Sequence, residues 1–153
     1  MITIQINDCE VRDALRDEAA RRGMDQYITI GLLARAESEA IARMTGVEAV
    51  AREMYDWTVN ADAPRHIFGE HGDETVEAPR GQRAVTAADY TRLPAAILNG
   101  AIEDGGRSWR TKNPLVRARW VDGEEEIVAV FEAIGGRRML TLDTMYVIRR
   151  RPR

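Results

Sequence analysis

Residues 115–148, LVRARWVDGEEEIVAVFEAIGGRRMLTLDTMYVI, decide the fold class of this 153-residue chain. Three runs, Leu115–Val121, Glu126–Ile134 and Arg138–Ile148, are separated by Asp122-Gly123 and Gly135-Gly136. Such dipeptides between strand-like runs signal hairpins, because glycine and small polar residues tolerate the positive φ of a tight turn. The stretch therefore predicts an antiparallel meander. In its first strand Val116, Ala118 and Trp120 fall on one face, and Arg117 and Arg119 on the other. In its last strand strict alternation groups Leu140, Leu142, Thr144, Tyr146 and Ile148, with Met139, Thr141, Asp143, Met145 and Val147 opposite. A sheet packed on helices with one face would offer Arg, Thr and Tyr on the other, a platform for an anion. Upstream, Asp104-Gly105-Gly106 reads as a turn and Ser108–Thr111 as a further short strand.

The chain before this region reads as mainly helical. Ile2, Ile4 and Ile6 alternate as in a short strand, and Val11, Ala14, Leu15 and Ala19 recur at helical spacing up to Gly23. A second helix is expected over 26–44, burying Ile30, Leu33, Ile41 and Met44, with Thr45-Gly46 as its end. A third is expected over 47–59 on Val47, Val50, Ala51, Met54, Tyr55 and Thr58. Asn60-Ala61-Asp62-Ala63-Pro64 is the clearest break, so residues 1–60 read as a helical lead-in and 61–153 as a second unit. Pro64 suits the start of a short helix, Arg65–Glu70, and residues 72–84 read as a loop. Thr86 and Asp89 form a capping-box pattern opening a helix to about Asn99, which Pro94 divides. The expected fold class is α+β, N-terminal helices followed by a roughly four-stranded antiparallel β-meander packed on helices.

Composition sets the limits. A hydrophobic fraction of 44% and a charged fraction of 31% suit a globular protein, and 6% aromatics imply an aliphatic core. No apolar run is long enough to span a membrane. The opening MITIQINDCE lacks the basic and apolar regions of a signal peptide. The single cysteine, Cys9, excludes an internal disulfide and a cysteine-based zinc finger, so a reducing, cytoplasmic setting is the simple expectation. The net charge of −3 is uneven: the first hundred residues carry 17 acidic and 11 basic side chains, the remainder 8 and 11. That balance excludes a general nucleic-acid coat and leaves room for a local basic face on the C-terminal half.

The only two histidines, His66 and His71, lie in HIFGEHG at the boundary between these halves. Residues five apart do not share a helix face, and no third ligand stands at metal spacing, so neither a metal nor a cofactor is expected. The neighbouring Glu70, Asp73, Glu74 and Glu77 read as ordinary surface carboxylates. Capping or core roles would satisfy both histidines. The functional alternative is general acid–base catalysis, for which imidazole is suited by its ordinary titration near neutral pH. Metal-free RNA cleavage needs a base for the 2′-hydroxyl, an acid for the departing 5′-oxygen, and cations or hydroxyls around the phosphorane. Arg117, Arg119, Thr144 and Tyr146 on the C-terminal strands would complete that set.

The block His66-Ile67-x-x-x-His71-Gly72, Glu77, Arg80-Gly81-Gln82, Val85-Thr86-x-x-Asp89 and Leu93-Pro94, closed by Thr144-Met145-Tyr146, resembles nuclease-like domains of phages and mobile elements. These are the phage members of the Barnase–EndoU–colicin–RelE (BECR) group, and the resemblance covers roughly residues 63–149. It implies helices packed on an antiparallel sheet and metal-independent cleavage of RNA, tRNA included, through a 2′,3′-cyclic phosphate. On that resemblance His66 and His71 are the acid–base candidates, Thr144 and Tyr146 lie on the active face, and Arg80 and Gln82 grip phosphate or shape the pocket. Arg117 or Arg119 is our own addition as charge stabiliser. The implied partners are RNA and an immunity protein, antitoxin or phage structural protein, in the cytoplasm of a bacterial host. The alternative is a catalytically silent virion, assembly or protein-binding module, whose N-terminal helices would offer a surface for homo-oligomerisation.

Overall fold

A computed structural model describes residues 27–60 and 62–150. The expected strand at Ile2–Ile6, the helix over 11–22, Cys9 and the assembly surface of the first helices lie mostly or wholly outside the described residues. The described chain is a mixed α/β structure built on one seven-stranded sheet. In chain order the strands are β1 (Tyr27–Leu32), β2 (Asp56–Asn60), β3 (Gln82–Arg83), β4 (Ala101–Arg107), β5 (Pro114–Asp122), β6 (Glu125–Ile134) and β7 (Met139–Arg149). The helices are α1 (Arg35–Thr45), α2 (Ala49–Arg52), α3 (Ala63–His71), α4 (Glu74–Glu77), α5 (Ala87–Tyr90) and α6 (Leu93–Asn99).

The sheet order is β1-β2-β7-β6-β5-β4. The β4 to β7 strands form an antiparallel meander, β1 pairs antiparallel with β2, and β2 runs parallel to β7. The four-stranded sheet expected from sequence is thus only part of a larger one. Its first strand is Ala101–Arg107, not Ser108–Thr111, which forms the turn into β5. The Gly105-Gly106 pair lies within β4, where the register shifts against β5. Such an irregularity accommodates glycines that would otherwise read as a loop.

The expected helical lead-in is corrected over 27–60, which folds as β-α-β and joins the same sheet. Tyr27-Ile28-Thr29-Ile30 is β-branched and aromatic, and Gly31 disfavours helix, so the first third of the expected second helix pairs as β1. The remainder is helix α1, which buries Ile41 and ends at Gly46, where φ is 74° and the N–H donates to Ala42 O at 2.9 Å. The expected third helix survives only as α2. Beyond it Tyr55, just before β2, and Trp57 and Val59 within it are buried in the core, while Met54 is 74% exposed. A two-residue period was hidden there within an equally regular helical spacing.

The core lies on one side of the sheet. Ile41, Ile67, Leu93 and Ile97 from the helices pack with Val116, Ala118, Ile127, Ala129, Phe131, Leu140, Leu142, Met145 and Val147. Trp57 meets Phe131 edge-on at 4.7 Å between ring centroids. A bulge corrects the expected alternation of β7. Val130 pairs with Thr144 and Phe131 with Leu142, leaving Asp143 as the extra residue. Leu140 and Leu142 therefore share the core face with Met145 and Val147, while Thr141, Thr144 and Tyr146 share the outer one. Among the described residues no helix is long and apolar enough to cross a membrane.

Candidate functional site

One edge of β7 positions the histidines. Its start pairs with β2 through Thr141, and its end pairs with β3 through Val147 and Ile148. Helix α3 packs against β7 and follows directly from β2. Pro64 near its first turn and Gly72 at its end delimit the helix, as the sequence suggests. Ile67 is fully buried and Phe68 contacts Tyr90 at 5.8 Å. That anchoring leaves His66, Glu70 and His71 more exposed than Ile67.

His71 is the better-held histidine. Its side chain is 15% exposed, against 46% for His66. Its Nδ1 lies 3.0 Å from Glu77 Oε2, and Glu77 is 0% exposed. An ionised carboxylate only accepts hydrogen bonds, so Nδ1 carries the proton and Nε2 is the nitrogen left for chemistry. Arg80 Nη1 donates to the other oxygen of Glu77 at 3.0 Å. The expected loop over 72–84 is thus a set of short elements. Asp73 caps α4 by accepting from the Thr75 N–H at 2.9 Å, Ala78–Arg80 forms a 3₁₀ turn, Gly81 takes φ 74°, and Gln82 begins β3. Polar anchors replace the missing apolar ones.

Tyr146 lies beside His71, with ring centroids 5.7 Å apart. Glu70 reaches both imidazoles, 3.3 Å from His66 Nε2 and 3.9 Å from His71 Nε2. Direct cross-strand partners project to one face, so Arg119, Val128 and Tyr146 form one row and Arg117, Val130 and Thr144 the next. Gln82 stands opposite Ile148 on that face. The buried polar atoms Arg117 Nε, Thr144 Oγ1 and Gln82 Oε1 have no hydrogen-bond partner among the described residues. Both outward arginines are otherwise engaged. Arg117 Nη2 meets Glu103 at 3.4 Å, and Arg119 donates to Glu126 at 2.7 Å while also approaching Glu103. Those carboxylates, Glu126 first, raise the Arg119 pKa, and the nearby Tyr146 contributes to the same shift.

His66 stands apart, at a cleft of about 300 Å³ that Asn60, Arg110, Glu132, Thr141 and Asp143 also line. Burial and the Glu132 charge raise the Asp143 carboxyl above its ordinary value, against the opposing charges of Arg110 and His66. A raised carboxyl pKa means that the folded state holds the proton more tightly than the unfolded chain. The resulting penalty is absent below the unfolded pKa and complete above the folded one. Asp143→Asn is therefore expected to raise the melting temperature at neutral pH. The gain should vanish near pH 3, below the ordinary carboxyl value of about 4, and thermal unfolding at both pH values checks this.

Of the residues singled out from sequence, His71, Tyr146, Arg80 and Arg119 gather around one spot, with Thr144, Arg117 and Gln82 on the same sheet face. Among the described residues His66 is linked to His71 through Glu70. Sequence reasoning missed the burial of Glu77, taking it for a surface charge, whereas Glu70 is at the surface as expected. The usable signal was the three-residue step from Glu77 to Arg80, which suits a local ion pair. Among the described residues no group of three His, Cys, Asp or Glu side chains is arranged to hold a metal ion. Comparison with protein-family models, curated proteins and solved structures finds no match for this chain.

Proposed function

We propose that His71 and the outward face of the sheet form a metal-independent RNA-cleaving site. The observation that carries this reading is the His71–Glu77 pair, a buried carboxylate fixing the imidazole with Nε2 available. In the proposed reaction His71 Nε2 takes the proton of a 2′-hydroxyl. The 2′-oxygen attacks the adjacent phosphorus, and the bond to the 5′-oxygen breaks. His66, linked to His71 through Glu70, gives a proton to that leaving oxygen. The products are a 2′,3′-cyclic phosphate and a free 5′-hydroxyl. Glu77 Oε2, 3.0 Å from Nδ1, holds the ring in place while Nε2 takes the proton. Arg119 and Arg117 supply the cations that the phosphorane charge requires. A phosphate entering this face would exchange for Glu103 as the partner of Arg119.

The resemblance of residues 63–149 to phage-type BECR nuclease domains points the same way, to an effector or toxin acting on RNA in a bacterial cytoplasm. One observation favours a second reading, a catalytically silent binding module: both outward arginines are already paired with carboxylates. The two readings separate on incubation of the full chain with single-stranded RNA in EDTA. Cutting of RNA, with an all-2′-deoxy strand of the same sequence left whole, is the expected result. Folded protein that leaves both strands whole overturns the enzyme.

A further inference from the structure

The turn between β4 and β5, Ser108–Asn113, holds an aromatic ring in solvent among cations. Trp109 is 81% exposed, whereas Trp57 is fully buried. The turn is nonetheless tightly braced. Ser108 N–H donates to Asn113 O and Lys112 N–H to Ser108 O, each at 2.9 Å, and Lys112 takes φ 64°. Thr111 Oγ1 and Asn113 Nδ2 both donate to Glu132 Oε1, at 2.6 and 2.9 Å, tying the turn to β6. Glu132 is almost wholly buried, which makes it a fixed anchor for this turn. A largely exposed tryptophan on a pre-ordered turn costs little backbone entropy when a ligand stacks on it.

The cations around it are largely uncompensated. Arg107 Nη1 donates to Lys112 O at 3.0 Å and Lys112 Nζ to Trp109 O at 2.9 Å. Those acceptors are neutral carbonyls, and neither cation has a carboxylate partner among the described residues. Among the described residues Arg110 has Asp143 alone, at 3.9 Å. This contrasts with Arg117 and Arg119, whose charges are met by glutamates. Arg110 also lines the cleft at which His66 stands, so the turn continues toward His66.

We infer that this turn is a docking platform for single-stranded nucleic acid. A base stacks on Trp109, and the flanking phosphates meet Arg107, Arg110 and Lys112. A single strand fits because its bases are free to stack, whereas a duplex hides their faces. The choice of RNA as the natural strand rests on the cleavage proposed above; the stacking and charge argument does not.

The test uses the full chain carrying His71→Gln and a fluorescently labelled oligouridylate, with an oligouridylate–oligoadenylate duplex alongside. Replacing Trp109 with alanine is expected to weaken single-strand binding by about 5- to 160-fold. Replacing Arg107 and Lys112 with glutamine should flatten the salt dependence, by about 0.7 in log–log slope for each charge removed. Circular dichroism confirms the fold of each variant. Binding that is indifferent to Trp109→Ala, or as tight for the duplex as for the single strand, overturns the platform. Trp109-dependent binding by a wild-type chain that never cuts RNA would sink the cleavage reading alone. Unchanged binding of Trp109→Ala, with cutting intact in the wild type, would sink the platform alone.

Discussion

Replacing His71 with glutamine is expected to lower metal-free RNA cleavage by about 10²- to 10⁴-fold while the chain stays folded. Glutamine is preferred to alanine because of what lies behind the ring. Glu77 is 0% exposed and accepts from His71 Nδ1 and Arg80 Nη1, each at 3.0 Å. Alanine would remove one of those donors and cost about 1–3 kcal/mol for the under-satisfied carboxylate, so lost activity could reflect a damaged fold. A glutamine amide can still donate toward Glu77, yet it cannot shuttle a proton. His66→Gln should cost less than His71→Gln, since His66 is half exposed and its side chain pairs with the half-exposed Glu70 rather than with a buried carboxylate. Rates on a single-stranded RNA, with melting temperatures measured in parallel, check both. A His71→Gln protein that cuts as fast as the parent removes His71 from the chemistry.

The second large effect is on stability. Replacing Arg83 with methionine is expected to destabilise the fold by about 3–5 kcal/mol, the usual result of stripping one partner from a buried ionic cluster. Arg83 sits on β3, beside Gln82, and joins three parts of the chain. Its Nη1 and Nη2 donate to both oxygens of Asp89 at 2.8 and 2.7 Å, and its Nε donates to Glu125 on β6. Arg92 reaches Asp89, Glu125 and Asp122 from the far side. Asp89 is 1% exposed and also accepts from the Thr86 N–H at 2.7 Å, completing the capping box of α5. Methionine conserves much of the volume of the arginine stem while leaving Asp89 short of its bidentate partner.

The same cluster makes stability depend on pH. Burial alone would raise the Asp89 carboxyl, but the Arg83 hydrogen bonds, the Thr86 N–H and the Arg83 and Arg92 charges hold it below its ordinary value. The Arg83 hydrogen bond likewise lowers Glu125, against burial and with help from Arg92. Carboxyls with depressed folded-state pKa values contribute stability that is present above the unfolded value and lost as pH falls through the folded one. Urea unfolding of the parent should therefore show stability falling below about pH 4. Arg83→Met should lose less over the same interval. Parallel pH curves for the two proteins would mean that the cluster does not stabilise the fold through charge.

The sequence carries the sheet well where apolar alternation and turn glycines agree. The runs over 115–148 appear as β5, β6 and β7 with their boundaries nearly as expected. It fails at residues 27–32 and 55–60, where β-strand and helical spacings both fit the apolar positions. The choice there depends on a parallel pairing of β2 with β7, some eighty residues away. The bulge at Asp143 is equally illegible, because the extra residue interrupts no apolar pattern until its partner strand is known. For the candidate site, His71, Tyr146, Arg117 and Arg119 follow from residue type and strand parity. Glu77 does not, since its burial depends on the 3₁₀ turn and β3 folding back beside α3.

The chemical ends left by a metal-free digest test the central claim most directly. Single-stranded RNA incubated with the full chain in EDTA, then analysed by mass spectrometry, should carry 2′,3′-cyclic phosphate and 5′-hydroxyl ends. Uncut RNA, or fragments with 3′-hydroxyl and 5′-phosphate ends, would contradict an attack by the 2′-oxygen assisted by His71.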